Sequence, residues 1–212
     1  MTDEPNFIID DILGEGDDPL ETEHMPTARA FKITARRRFH RVLQKQALQD
    51  VVKAAPAPGE SIHLVSNAKF DFWTWVPALL DWIDRTESLY CSTWTLNRSN
   101  AVELFELWDQ GRFGAVGFLT GLYFKRRETA VYTFLLDGIR AREGRYRASL
   151  NHAKVLLLDN PARGAWLTVE GSANLTANPR TEQYVITNDR GLWDFHRGWM
   201  EELLAAHAKE GR

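Results

Sequence analysis

Residues 151–186 read NHAKVLLLDNPARGAWLTVEGSANLTANPRTEQYVI, and this stretch decides the fold. Val155 to Leu158 is a short apolar run bounded by polar residues, as a buried strand requires. NPARGA, from Asn160 to Ala165, places Pro and Gly where a hairpin turn is needed. AWLTVEGS then forms a second strand that ends at Gly171-Ser172-Ala173-Asn174, and Glu182 and Gln183 open the segment after it. Side chains two apart on a strand share a face, so His152 and Lys154 stand together at one end of the first strand. Asp159 lies an odd number of positions from both, which turns it away from them or into the turn and gives it a supporting role. Ser172 and Asn174 share a face in the same way, and Gly171 leaves room for a close approach. If the two strands are neighbours, a nucleophile, a cation and two neutral hydrogen-bond donors converge at one sheet end. Glu182 or Gln183 could orient an imidazole there.

Upstream, Ser61 to Ser66, Ser88 to Trp94, Ala115 to Gly121 and Arg145 to Leu150 are predicted strands. Helices are predicted from Thr27 to Val52, through FDFWTWVPALLDWI (residues 70–83) with an interruption at Pro77, from about Ser99 to Trp108, and from Glu128 to Arg142. A further amphipathic helix begins at Leu192, with Trp193, Phe195 and Trp199 available for packing. Strands alternating with helices across short turns predict an α/β layered sandwich with a central mixed, largely parallel sheet flanked by helices.

Charge divides the chain further. Residues 1–26 hold nine acids and no Lys or Arg, whereas in residues 27–212 basic side chains outnumber acidic ones by six. The predicted organisation is an acidic, mostly extended or disordered arm at 1–26, a basic helix and Pro-rich linker at 27–58, and a catalytic domain at 59–212. A basic body suits a polyanionic partner. Cys91 is the sole cysteine, which excludes an internal disulfide and any Cys-based zinc site. No apolar run is long enough to cross a bilayer. The opening MTDEPNF is acidic where a secretion signal is basic and then apolar, so a cytoplasmic setting is expected. His24, His40, His63, His196 and His207 lack metal-ligand spacing. There is no phosphate-cradling Gly-rich loop and no Gly-x-Ser-x-Gly elbow.

His152, Lys154 and Asp159 in the order H-x-K-x4-D, followed by G-S-x-N at Gly171 to Asn174, resemble the signature of the phospholipase D superfamily. The resemblance covers roughly residues 150–186. It implies a phospholipase D-like fold and a phosphodiesterase that works without metal or other cofactor, through a covalent phosphohistidine. It also implies roles: His152 as nucleophile, Lys154, Ser172 and Asn174 on the non-bridging oxygens, and Glu182 as the acid that orients the imidazole. Asp159 matches the signature's aspartate, and strand parity leaves its duty open. The NPARGA loop is longer than the tightest pattern of the family. Members need two such motifs per site, and this chain has one, so the resemblance implies a homodimer with His152 of each copy meeting at the two-fold axis.

Lys125 to Arg147 carries seven basic residues against three acids, and Lys125, Arg126, Arg127, Arg145 and Arg147 are candidate phosphate contacts. A nuclease acting on DNA or RNA with little sequence preference is the first expectation. Its alternatives are a phospholipid head-group hydrolase or transferase of the same superfamily and a nucleic-acid-binding module without turnover. No basic aromatic membrane face stands out, so stable membrane association is not expected.

Overall fold

Along the strand Val155–Asn160, alternate residues enter different apolar clusters. Leu156 and Leu158 join one, while Val155 and Leu157 join the other. A strand apolar on both faces must be covered on both, which fixes a three-layer arrangement. The computed structural model describes residues 33–67, 69–176 and 180–206. The chain divides into two units, Met1–Phe39 and His40–Arg212. Of the first, the described residues 33–39 are helical. The expected acidic arm and the start of the predicted basic helix at Thr27 lie outside the described residues.

In chain order the elements are α1 (Ile33–Val51), β1 (Ser61–Asn67), a 3-10 turn (Phe72–Thr74), α2 (Trp75–Ile83), β2 (Thr86–Ser92), α3 (Arg98–Asp109) and β3 (Phe113–Gly121). They continue with α4 (Leu122–Arg127), α5 (Thr129–Arg140), β4 (Arg145–Ser149), β5 (Val155–Asn160), a 3-10 turn (Pro161–Arg163), β6 (Ala165–Gly171), β7 (Thr181–Asn188) and α6 (Arg190–Ala206). The seven strands form one sheet in the order β1-β7-β6-β5-β2-β3-β4.

The sheet is mixed, as expected, but its parallel part is smaller than predicted. Only β2 with β3 and β3 with β4 run parallel, across helical crossovers. The β1–β7, β7–β6, β6–β5 and β5–β2 pairs are antiparallel. The reason is local: β5 and β6 are joined by the tight Pro161–Arg163 turn, which returns the chain antiparallel instead of carrying it through a crossover.

One face of the sheet packs on α1, α2, α3 and α5. Leu48, Phe72, Trp73, Trp75, Leu104, Phe118, Leu135, Leu156, Leu167 and Tyr184 meet in that layer. Each buried Leu or Phe there contributes roughly 1.5–3 kcal/mol. The other face, with Tyr90, Leu119, Val155 and Leu157, lies under α6, which supplies Trp193, Met200 and Leu204. Phe195, expected to help with packing, is instead 66% exposed on the outer side of α6. Asp71 caps the first 3-10 turn by accepting from Thr74 N at 2.9 Å, and Asn97 caps α3 by accepting from Asn100 N at 2.9 Å. Pro77 does not interrupt its helix as predicted. It falls in the first turn of α2, where a missing N–H costs no intrahelical bond. Gly111 ends α3 with φ +72°, a conformation that favours glycine. No helix among the described residues is long and apolar enough to cross a membrane.

Candidate active site

Register brings the chemistry to one sheet edge. Ser92 at the end of β2 pairs with Val155 at the start of β5, Val155 pairs with Glu170, and Gly171 at the end of β6 pairs with Tyr184 near the start of β7. The residues following β2 and β6, and those preceding β5 and β7, therefore meet at the same end.

His152 and Lys154 precede β5, which begins only at Val155, so their proximity comes from a shaped loop and not from strand parity. Ser92 and Asn151 set that shape. Asn151 Nδ2 donates to Ser92 Oγ at 2.7 Å, Ser92 Oγ donates to the Ala153 carbonyl at 3.0 Å, and Ala153 N donates to Asn151 Oδ1 at 3.0 Å. Lys154 Nζ lies 2.8 Å from His152 Nδ1 and 3.3 Å from Nε2, and donates to the His152 carbonyl at 2.9 Å. Burial and the adjacent ammonium both push the His152 pKa below its ordinary value. Lys154, 9% exposed, is itself lowered by burial, which outweighs the attraction of the Glu182 carboxylate.

Ser172 Oγ donates to the Glu182 carboxylate and accepts from Gln183 N, the latter at 3.1 Å. The structure thus gives Glu182 to Ser172 and, through its field, to Lys154, where the sequence reading had it orient the imidazole. Gln183 contributes its backbone N–H. Asn174 Oδ1 accepts from Trp94 N at 3.3 Å, which ties the G-S-x-N segment to the end of β2. Gly171 is needed at its position: a Cβ there would come within 2.7 Å of Tyr184 Cδ1.

Asp159 stands apart from this group, at the far end of β5. Its carboxylate accepts from Ser88 N at 2.7 Å, Ser88 Oγ at 2.9 Å and Thr86 Oγ1 at 3.1 Å. Those contacts make it a buried clamp between β5 and β2. The basic candidates separate likewise. Lys125, Arg126 and Arg127 form the exposed end of α4, directly after β3. Arg145 is held by the Glu201 carboxylate and Tyr90, and Arg147 donates to the Leu203 carbonyl at 2.6 Å. These two arginines fasten β4 to α6.

Two residues at the site escaped the sequence reading. Trp94, taken as the end of a strand, follows β2 and stacks on Tyr123 of α4 with ring centroids 4.5 Å apart. It also lies 5.4 Å from the His152 ring. A Trp just beyond a strand that ends beside the His-containing loop is the signal that could have marked it. Among the described residues no group of three or more His, Cys, Asp or Glu side chains is gathered that could hold a metal ion.

No family model matches the chain. No curated protein matches it either. Among solved structures it is similar to a phospholipase D family member, Nuc from Salmonella typhimurium, over 68% of this chain and 94% of that one, at 16% identity and a TM-score of 0.48. NucT from Helicobacter pylori is similar over 69% of this chain and 97% of its own, at 16% identity and a TM-score of 0.45. The polyphosphate kinase from Porphyromonas gingivalis is similar over 69% of this chain and 26% of its own, at 15% identity and a TM-score of 0.49.

Proposed function

We propose that this chain is a metal-independent phosphodiesterase of the phospholipase D superfamily, a nuclease that cleaves DNA or RNA through a phosphohistidine in a site shared by two subunits. The observation that carries the reading is the Lys154 ammonium set 2.8 Å from the His152 imidazole, at a sheet end that also holds Asn174 and the Ser172–Glu182 pair. An imidazole kept neutral near pH 7 has a lone pair to use, and a cation beside it attracts the anionic group it must attack. A phosphate oxygen competes for the ammonium and draws it off the ring, which releases the nitrogen for attack.

The steps then balance. A ring nitrogen of His152 forms a bond to phosphorus, the bond to the departing oxygen breaks, and that oxygen takes a proton from the protonated His152 of the partner subunit. Water next attacks the phosphohistidine, its proton passes to His152 of the partner subunit, and the N–P bond breaks to regenerate the imidazole. One ring cannot hold a lone pair for attack and a proton for the leaving group at once, and this is the reason for two copies. Lys154 and the Asn174 amide stabilise the charge that concentrates on the non-bridging oxygens.

The test is plasmid cleavage by the purified protein in excess EDTA, with His152→Ala alongside. Nicking that survives chelation and disappears in His152→Ala, while the variant stays folded and dimeric, is the expected result. Cleavage abolished by EDTA, a strictly monomeric protein, or release of lipid head groups with an untouched plasmid overturns the reading.

A further inference from the structure

The rings next to His152 bear on which nucleic acid the site takes. Trp94 and Tyr123 are both half-buried, and neither belongs to either apolar cluster of the fold. Two large aromatic side chains outside the core are at most a modest gain for folding, yet the structure holds them in a set arrangement. Their planes lie 23° apart, and a Cβ on Gly121 would come within 2.4 Å of Trp94 Cδ1, so the end of β3 is packed tightly against the indole. The Arg127 guanidinium lies 5.6 Å from the Tyr123 ring centre, and its Nε donates to the Tyr123 hydroxyl at 3.3 Å. A continuous series of π faces and cations thus runs from His152 through Trp94 and Tyr123 to Arg127, with Lys125 and Arg126 exposed on the same short helix.

This is the arrangement that binds unpaired strands: aromatic rings that accept a base without reading its edge, and cations for the backbone. We infer that the base adjoining the scissile phosphate packs against the Trp94–Tyr123 stack, and that the substrate class of the site is single-stranded nucleic acid. In a duplex that base is already stacked and paired, and reaching Trp94 requires pulling it out. The inference rests on the phosphodiesterase reading above, but it concerns binding, which can be measured without turnover.

Anisotropy at fixed salt compares a labelled twelve-nucleotide thymidine strand with the same sugar-phosphate chain lacking bases, using the His152→Ala protein. The base-bearing strand is expected to bind about five- to a hundredfold tighter, the worth of one base stacked on an aromatic ring. Adding Trp94→Ala brings the ratio near one, and Trp94→Phe restores most of it. Trp94→Leu, which keeps apolar volume without a π face, is read the same way if the alanine variant fails to fold. Equal affinity for the two strands, a ratio that persists in folded Trp94→Ala or Trp94→Leu, or a duplex bound as tightly as the single strand overturns the inference. Base-dependent binding without any chelator-resistant cleavage sinks the phosphodiesterase reading alone, and cleavage without base-dependent binding sinks this inference alone.

Discussion

Replacing Asp159 by alanine separates two roles that the H-x-K-x4-D pattern runs together. The carboxylate sits four residues along β5 from Val155, about 13 Å at the usual strand rise, so it is remote from the His152 loop. It accepts from Ser88 N, Ser88 Oγ and Thr86 Oγ1 and is 5% exposed. Thr86 Oγ1 also lies 2.7 Å from the Ser88 carbonyl and 2.8 Å from the Asp159 carbonyl, so its proton keeps an acceptor when the carboxylate goes. Ser88 loses both of its bonds to a charged group, each worth about 1.5–3 kcal/mol. Asp159→Ala should therefore cost about 3–5 kcal/mol, and Asp159→Asn, which retains an acceptor for Ser88 N, about half of that. With a urea slope of roughly 2 kcal/mol/M for a chain of this size, the alanine variant unfolds about 1.5–2.5 M earlier. Urea titration by circular dichroism, with cleavage measured per folded molecule at low temperature, tests this. A variant of unaltered stability whose cleavage falls a hundredfold refutes the clamp and makes Asp159 part of the chemistry.

Three more outcomes can be checked. Followed by the imidazole proton resonance, His152 should titrate below its ordinary value of about 6.5, and Lys154→Met should move the midpoint upward by removing the repelling charge. A wild-type midpoint at or above that value contradicts the electrostatics, whereas Lys154→Met should cut cleavage by about a hundredfold or more. Gly138→Ala improves helix propensity by up to about 1 kcal/mol, yet its Cβ would lie 2.1 Å from Phe105 Cζ, so thermal melting should fall. A rise in the melting temperature would mean that α5 and α3 are not packed as described. Gly171→Ala, forced against Tyr184, should displace Ser172 from Glu182 and lower kcat more than it lowers stability, about 1–3 kcal/mol by melting. Unchanged kcat in that variant argues against a role for the Ser172–Glu182 pair.

Much of the site was legible because its information is local. The turn-rich NPARGA segment announces the β5–β6 hairpin, and the apolar run before it puts Asp159 at the end of β5 remote from the His152 loop. Strand alternation does not carry to His152, Lys154, Ser172 or Asn174, which lie outside β5 and β6. The parallel share of the sheet was over-read because alternating strands and helices look alike whether or not the last three strands return by hairpins. The intramolecular partners of Arg145 and Arg147, Glu201 and the Leu203 carbonyl, were not legible because they lie 56 residues onward. Trp94 and Tyr123 meet from different elements, and a contact of that kind leaves no periodicity to find. Glu182 lies near Ser172, but which neighbour its carboxylate takes is decided by β6–β7 register, which the spacing after Asn174 does not encode.

The outermost strand pairing sets an order of events on the ribosome. β1 is made early, but its partner β7 emerges more than a hundred residues later, as Ser61 opposite Thr187 shows. Until then one edge of the growing sheet has no strand beside it, and Glu182, a residue of β7, has not been made. The emerging polypeptide thus holds its aromatic stack and its cationic helix well before Glu182 can meet Ser172, and the groups of the candidate site come together only once β7 has been made.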